Sequence, residues 1–180
     1  MQYSDFIHLH NHSQYSLLDG ALRFEEVFNL AKKYQMAAVA LTDHGNMFGV
    51  IEFYQKAIQH GIKPIVGCEV YIAPGSRFDK KTVEGGEGAY HLTLLVKNRI
   101  GYFNLMKLVS LAYLEGFYYK PRVDKELLSQ YHEGLIALSG CLKGEMAVHA
   151  GRGEMKKALQ AAEEYGKIFD QHRFYIEIQN

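Results

Sequence analysis

The sequence predicts an α/β fold, on three observations. Short apolar runs alternate with stretches whose apolar residues recur at helical spacing. Polar residues with chemical potential fall just past the ends of the apolar runs, where such folds keep their functional loops. A chain of 180 residues, 48% of them hydrophobic, suits one buried core better than two. Repeated strand–helix units imply a parallel sheet, open or closed into a barrel.

Each element follows from its pattern. Phe6–His10 reads as a first strand, and Glu25–Tyr34 as a helix because Val27, Leu30, Ala31 and Tyr34 recur at its period. Ala37–Thr42 is the next strand, Val50–His60 a helix, and Ile62–Ile72 a strand around Pro64 and Gly67. His91–Val96 is a strand, Tyr102–Leu114 a helix, and Asp124 the N-cap of a short helix ending near Tyr131. Leu135–Leu138 reads as a buried strand, Glu154–Phe169 as the clearest helix and Phe174–Gln179 as a final strand. Pro74–Ala89, with Gly75, Gly85, Gly86 and Gly88, lacks periodicity and is expected to be a mobile loop. The stop at Asn180 directly after a strand reads as truncation before closing strand–helix units.

Charge and cysteine content exclude some classes. The 20 Lys+Arg balance 20 Asp+Glu, so no global positive field draws nucleic acid, and any DNA contact must be local. The apolar run at Ala37–Leu41 is far below membrane-spanning length, and a cytoplasmic location is expected. Cys68 and Cys141 cannot form the disulfide framework of a small secreted domain, so reduced thiols are the default.

The chemistry concentrates at strand ends. His10 and His12 are two apart, and the period of two aims both imidazoles at one face, as metal ligands or as packing residues. Asp19, beyond the turn Ser13–Leu18, is placed to loop back with a carboxylate. Thr42-Asp43-His44-Gly45 follows a strand directly and makes His44 a third candidate ligand; Asp43 is either a group orienting a ligand or a helix cap. Glu69 lies in the apolar run Ile65–Tyr71, where a carboxylate is costly to bury without a positive partner or a metal. His91 and Cys141 add a ligand-type group at each of two later strands.

Four histidines, two carboxylates and a thiol exceed what one tetrahedral zinc needs, so a cluster of two or three metal ions is expected, zinc first, with manganese or iron as alternatives. Such clusters suit phosphoester hydrolysis with a metal-activated water, and no side-chain nucleophile is required. No Gly-x-Ser-x-Gly elbow, Walker phosphate loop or dinucleotide fingerprint argues for another chemistry. Lys120 and Arg122 are candidates to meet substrate phosphate, against the plainer reading of a solvated basic turn. His60, His132, His149 and His172 are expected to be solvated.

These residues resemble the PHP (polymerase and histidinol phosphatase) family. Its opening His-x-His-x-x-x-Ser motif stands here as His10-Asn11-His12-Ser13-Gln14-Tyr15-Ser16, and the next as Thr42-Asp43-His44-Gly45. Glu69 in Gly67-Cys68-Glu69, then His91, then Cys141 match the family's later ligands, and Asp19 falls where relatives place another. Tyr15–Ala21, Gly116–Arg122 and Ser139–Glu145 resemble the branch carried at the amino terminus of the bacterial replicative DNA polymerase III alpha subunit.

The resemblance implies a distorted (βα)7 barrel, with a trinuclear and usually zinc site where all ligands are kept. It implies a single PHP domain over residues 1–180, with the final Asp-x-His motif and the polymerase core lying outside it. His8 stands where many members have Asp, and is not expected to be a ligand. The implied function is a metal-dependent phosphoesterase domain with 3′–5′ proofreading exonuclease activity on the primer-strand 3′ end of DNA, within a nucleotidyltransferase. The alternative is a non-catalytic scaffold that stabilises the polymerase chain and binds its partners, including a proofreading exonuclease subunit and other replisome subunits. A free-standing phosphatase for small phosphomonoesters is a third reading, disfavoured by Phe117–Arg122.

Overall fold

A computed structural model of the chain describes residues 3–80, 88–170 and 172–179. The elements run α1 (Phe24–Lys33), β1 (Ala38–Leu41), α2 (Val50–His60), β2 (Lys63–Ile72), β3 (Tyr90–Val96), α3 (Arg99–Leu114), β4 (Arg122–Val123), α4 (Lys125–Tyr131), β5 (Leu135–Leu138), α5 (Glu145–Gly151), α6 (Met155–Phe169) and β6 (Phe174–Tyr175). The expected α/β class is what the chain adopts.

β2 organises the sheet. Its first half pairs in parallel with β1, from Ala38↔Lys63 to Leu41↔Val66, and its last two residues pair in parallel with β4. Along its other edge β3 runs antiparallel, from Gly67↔Leu95 to Ile72↔Tyr90. β3 in turn pairs antiparallel with β5, and β5 in parallel with β6. The expected parallel pairing holds at β1–β2, β2–β4 and β5–β6, while β3 runs antiparallel to both its neighbours, giving a sheet of order β1-β2-β3-β5-β6, open among the described residues. The stretch joining β2 to β3 lacks helical periodicity in sequence and holds no helix among its described residues, in keeping with an antiparallel return.

Alternation along the strands divides the chemistry from the core. Val70, Ile72, Leu92 and Leu94 face Leu105, Leu108, Leu127, Leu128, Tyr165 and Phe169 of α3, α4 and α6, all buried in one cluster. Glu69, Tyr71, His91 and Thr93 alternate with them and so share the opposite face. Each fully buried Leu or Ile contributes about 1.5–3 kcal/mol, which fixes the strand register, because a one-residue slip would exchange the two faces. A second cluster joins Phe24 and Phe28 of α1 and Phe53 and Ala57 of α2 to Val39 and Leu41 of β1.

Two expectations at the chain's ends change. Phe6–His10 is extended but pairs with β1 only in part: Ala40 N–H donates to the His8 carbonyl and Thr42 N–H to that of Asn11, at 3.0 and 2.9 Å. The Asn11 N–H goes instead to Thr42 Oγ1, so a side chain interrupts the ladder. β6 is shorter than Phe174–Gln179 because β5 ends at Leu138, and the Glu177 N–H donates to Ser139 Oγ rather than to a strand carbonyl. α5, missed in the sequence, is only seven residues long and fully buries none, although Met146 and Val148 pack on the core, so its apolar pattern is too short to read.

Of the expected mobile loop, Gly85 and Gly86 lie outside the described residues. The described part is anchored: Arg77 Nη1 bonds both oxygens of Asp124 at 3.1 Å and its Nε donates to Glu115 at 2.8 Å. Asp124 also caps α4 as expected, accepting from Leu127 N–H at 2.9 Å.

Candidate metal centre

Glu69, 1% exposed, sits at the centre of the polar face. Its Oε2 lies 2.9 Å from His10 Nε2, 3.0 Å from His12 Nε2 and 3.1 Å from His44 Nδ1. Its Oε1 lies 2.7 Å from His91 Nδ1 and 3.7 Å from Cys141 Sγ. Asp19 Oδ2 reaches His44 Nε2 at 2.9 Å from the cleft's exposed side. The structure thus brings together His10, His12, Asp19, His44, Glu69, His91 and Cys141, seven positions singled out in the sequence.

Local chemistry explains their placement. His10 and His12 ride on the extended segment beside β1, His44 follows β1, Glu69 lies in β2, His91 in β3, and Cys141 follows β5. Gly67 permits the close strand approach that seats Glu69, since a Cβ there would lie 2.5 Å from the Leu94 carbonyl oxygen and 2.9 Å from Thr42 Cγ2. Gly45 holds φ +61°, a left-handed conformation that turns the chain immediately after His44.

Asp43, 1% exposed, neither caps α2, whose N-cap is Gly49, nor bonds a candidate ligand's side chain. It accepts from Ser13 N–H and Ser16 Oγ on one oxygen, both at 2.7 Å, and from Ser13 Oγ on the other at 2.8 Å. Ser16 Oγ in turn accepts from the His44 N–H at 3.1 Å. Asp43 therefore fixes the loop between His12 and Asp19 against the strand end that carries His44. The role resembles the orienting one expected, but it acts on backbone and hydroxyls.

The cluster's charges are strongly coupled. Burial opposes ionisation of Glu69, but hydrogen bonds from His10, His12 and His91 outweigh it and hold the carboxyl far below the usual range. Burial likewise opposes charge on His10, yet its bonds to Glu177 and Glu69 raise it from 6.5 to about 9. His44, facing the same Glu69, moves the other way: burial and the neighbouring His12 lower it despite Glu69 and Asp19. Burial raises the Cys141 thiol.

The donor set fits metal ions. Three overlapping groups, His10–His12–Glu69, His12–Asp19–His44 and His44–Glu69–His91, each bring one ligand atom per residue within 4.8 Å of the others. His12 Nδ1 and His44 Nδ1 are buried without a hydrogen-bond partner among the described residues. His44 Nδ1 thus approaches Glu69 Oε2 to 3.1 Å without hydrogen-bond geometry. An orphaned His44 nitrogen beside a buried carboxylate suits cation coordination better than a closed hydrogen-bond network.

The cluster lines a cleft of about 850 Å³ that also includes Tyr15, Leu18, Phe48, Tyr71 and Lys120. Lys120 is exposed there, its Nζ 5.5 Å from the Tyr71 ring centroid. Arg122 corrects the sequence expectation. It is 1% exposed, with Nε donating to the Gly116 carbonyl and Nη2 to those of Arg77 and Asp79, so its guanidinium ties loops together beneath the surface instead of meeting phosphate. His8 is exposed against Phe6, away from the cluster. His60, His132 and His149, expected to be solvated, are half-buried and contact Glu25, Arg173 and Glu154 respectively.

Sequence reasoning missed Glu177, whose Oε1 lies 2.7 Å from His10 Nδ1. The signal was the alternation Phe174–Gln179, which sets Tyr175, Glu177 and Gln179 on one face. Among the described residues no helix is long and apolar enough to cross a membrane.

The chain matches the PHP domain family over residues 8–180. It is 50% identical over 175 residues to the DNA polymerase III subunit alpha of Treponema pallidum, covering 97% of this chain and 15% of that one. It is also 50% identical over 178 residues to the subunit alpha of Thermus aquaticus, covering 97% and 14%. It thus spans about a seventh of the length of these relatives. Among solved structures, an amidohydrolase from Chromobacterium violaceum aligns at TM-score 0.49 and 17% identity, over 94% of this chain and 84% of that one. With the family match spanning nearly the whole chain, and the family's motif residues gathered around Glu69, the chain belongs to the PHP domain family.

Proposed function

We propose that this chain is the metal-dependent phosphoesterase domain of a bacterial replicative DNA polymerase, and that within the whole protein it removes nucleotides 3′ to 5′ from the primer end. The observation that carries this reading is the convergence of four imidazoles and a thiol on the buried Glu69 carboxylate. His10, His12, Asp19, His44, Glu69, His91 and Cys141 would hold two or three ions, and a set of nitrogen, oxygen and sulfur donors suits zinc, with manganese or iron as alternatives. Bound there, such ions supply Lewis acidity toward phosphoryl oxygens and an activated water.

The chain's own residues do the rest. Asp43 and the serines it binds hold Asp19 and His44 in register. Lys120, exposed at the mouth, meets the phosphate that carries the scissile bond, and the aromatic wall of Tyr15, Phe48 and Tyr71 flanks the entry. The proposed partners are the DNA primer end, the rest of the polymerase chain, and a proofreading exonuclease subunit with other replisome subunits, in the cytoplasm. The similarity to polymerase alpha subunits over 97% of the chain supports these partners.

The test is His12→Ala in the full-length polymerase, assayed for both activities. Loss of about 10²-fold or more in exonuclease rate with polymerisation retained is expected. Unchanged exonuclease activity would contradict the proposal and favour a scaffold role.

A further inference from the structure

Resting on the reading of the cluster as a metal centre, we infer that Glu177 is a positioning residue that fixes the ring orientation and tautomer of His10, and so the affinity of the centre for its ions. His10 is held from both sides: Nε2 faces the cluster at 2.9 Å from Glu69 Oε2, while Nδ1 faces away, 2.7 Å from Glu177 Oε1. A carboxylate at Nδ1 accepts the proton there and leaves the Nε2 lone pair directed into the site, the outer arrangement that orients metal-ligating histidines. Among the described residues two of the other imidazoles lack this arrangement: His12 Nδ1 is orphaned, and His44 Nε2 meets Asp19, itself a candidate ligand.

Glu177 is itself held. Its N–H donates to Ser139 Oγ at 2.9 Å, the Ser139 N–H donates to the Tyr175 carbonyl at 3.0 Å, and Gln179 Nε2 donates to Glu177 Oε1 at 2.8 Å. The side chain is 11% exposed, so the contact to His10 is little screened by water. Ser139 lies two residues before Cys141, so the same hydroxyl links the Glu177 segment to the loop that carries the thiol.

The test uses the full-length protein and its Glu177→Gln and Glu177→Ala variants, with zinc competed against a chromophoric chelator, cobalt(II) absorption as a report on ligand geometry, and thermal unfolding of the metal-free forms. Zinc affinity at one site is expected to fall about 10–100-fold in Glu177→Ala, and less in Glu177→Gln, which keeps an acceptor oxygen but no charge. The cobalt bands are expected to shift, and the metal-free unfolding midpoints to fall at neutral pH as His10 loses its carboxylate partner, most in Glu177→Ala. Parent-like zinc affinity and cobalt spectra in both variants would overturn the role of Glu177 while leaving the metal centre intact. A parent protein that binds no zinc, cobalt or manganese would overturn both.

Discussion

Glu69 and His91 meet at 2.7 Å across the β2–β3 pair, although the register sets Glu69 opposite Thr93 and His91 opposite Tyr71. The contact is a diagonal one on a single face, within reach of a long side chain and an imidazole. Two of the central donors therefore stand on paired strands, and others, such as Asp19, are brought to them by loops.

Glu69 is the residue whose loss costs most. Glu69→Gln removes the charge that four imidazoles approach, and metal content is expected to fall to background with exonuclease activity, while the fold persists on its apolar face. Elemental analysis with circular dichroism checks both outcomes.

Protons and metal compete for the same atoms. With His10 raised to about 9 by Glu177 and Glu69 despite its burial, the metal-free protein carries a proton there at neutral pH that ion binding must displace. Zinc affinity is expected to rise about tenfold per pH unit up to about 9 and then level off, read by chelator competition from pH 6 to 10. The metal-free fold shows the opposite trend. A group whose folded pKa lies above its unfolded 6.5 stabilises fully below 6.5 and loses that contribution as pH rises through about 9. A loss on the order of 3 kcal/mol across that window is expected in urea titrations.

Asp43→Ala leaves three donors of Ser13 and Ser16 without their buried acceptor. Destabilisation of about 2–4 kcal/mol is expected, together with weaker metal binding as the loop carrying Asp19 loosens. Denaturant unfolding reports the first effect, and zinc competition the second.

Gly45→Ala introduces a Cβ at φ +61°, 2.9 Å from Tyr71 Cε2 and 3.0 Å from Pro121 Cγ. A cost of about 1–2 kcal/mol or more is expected, with His44 displaced and metal affinity reduced. Unfolding midpoints and zinc binding of the variant check it.

Arg122→Ala and Lys120→Ala are expected to separate. The first removes the donors to the Gly116, Arg77 and Asp79 carbonyls and should destabilise by about 3 kcal/mol. The second should leave stability within about 0.5 kcal/mol and raise KM for a DNA substrate. Steady-state kinetics beside unfolding curves distinguish them.

Much of the site was legible because ligand-type residues recur at successive strand ends, and period-two spacing aimed His10 and His12 at one face. The direction of β3 was not, since strand patterns carry no sign of parallel or antiparallel pairing. Arg122 was misread because a basic residue in a turn looks the same in sequence whether it faces solvent or bonds buried carbonyls. Glu177 was passed over because its partner His10 is 167 positions away, and only pairing of β6 beside β5 brings them together.

The most direct measurement is zinc, manganese and iron per chain by elemental analysis of the dialysed full-length protein. About two or three ions per chain, reduced in His12→Ala, is the predicted result. A folded protein free of metal, with exonuclease activity unaffected by His12→Ala, would contradict the metal centre.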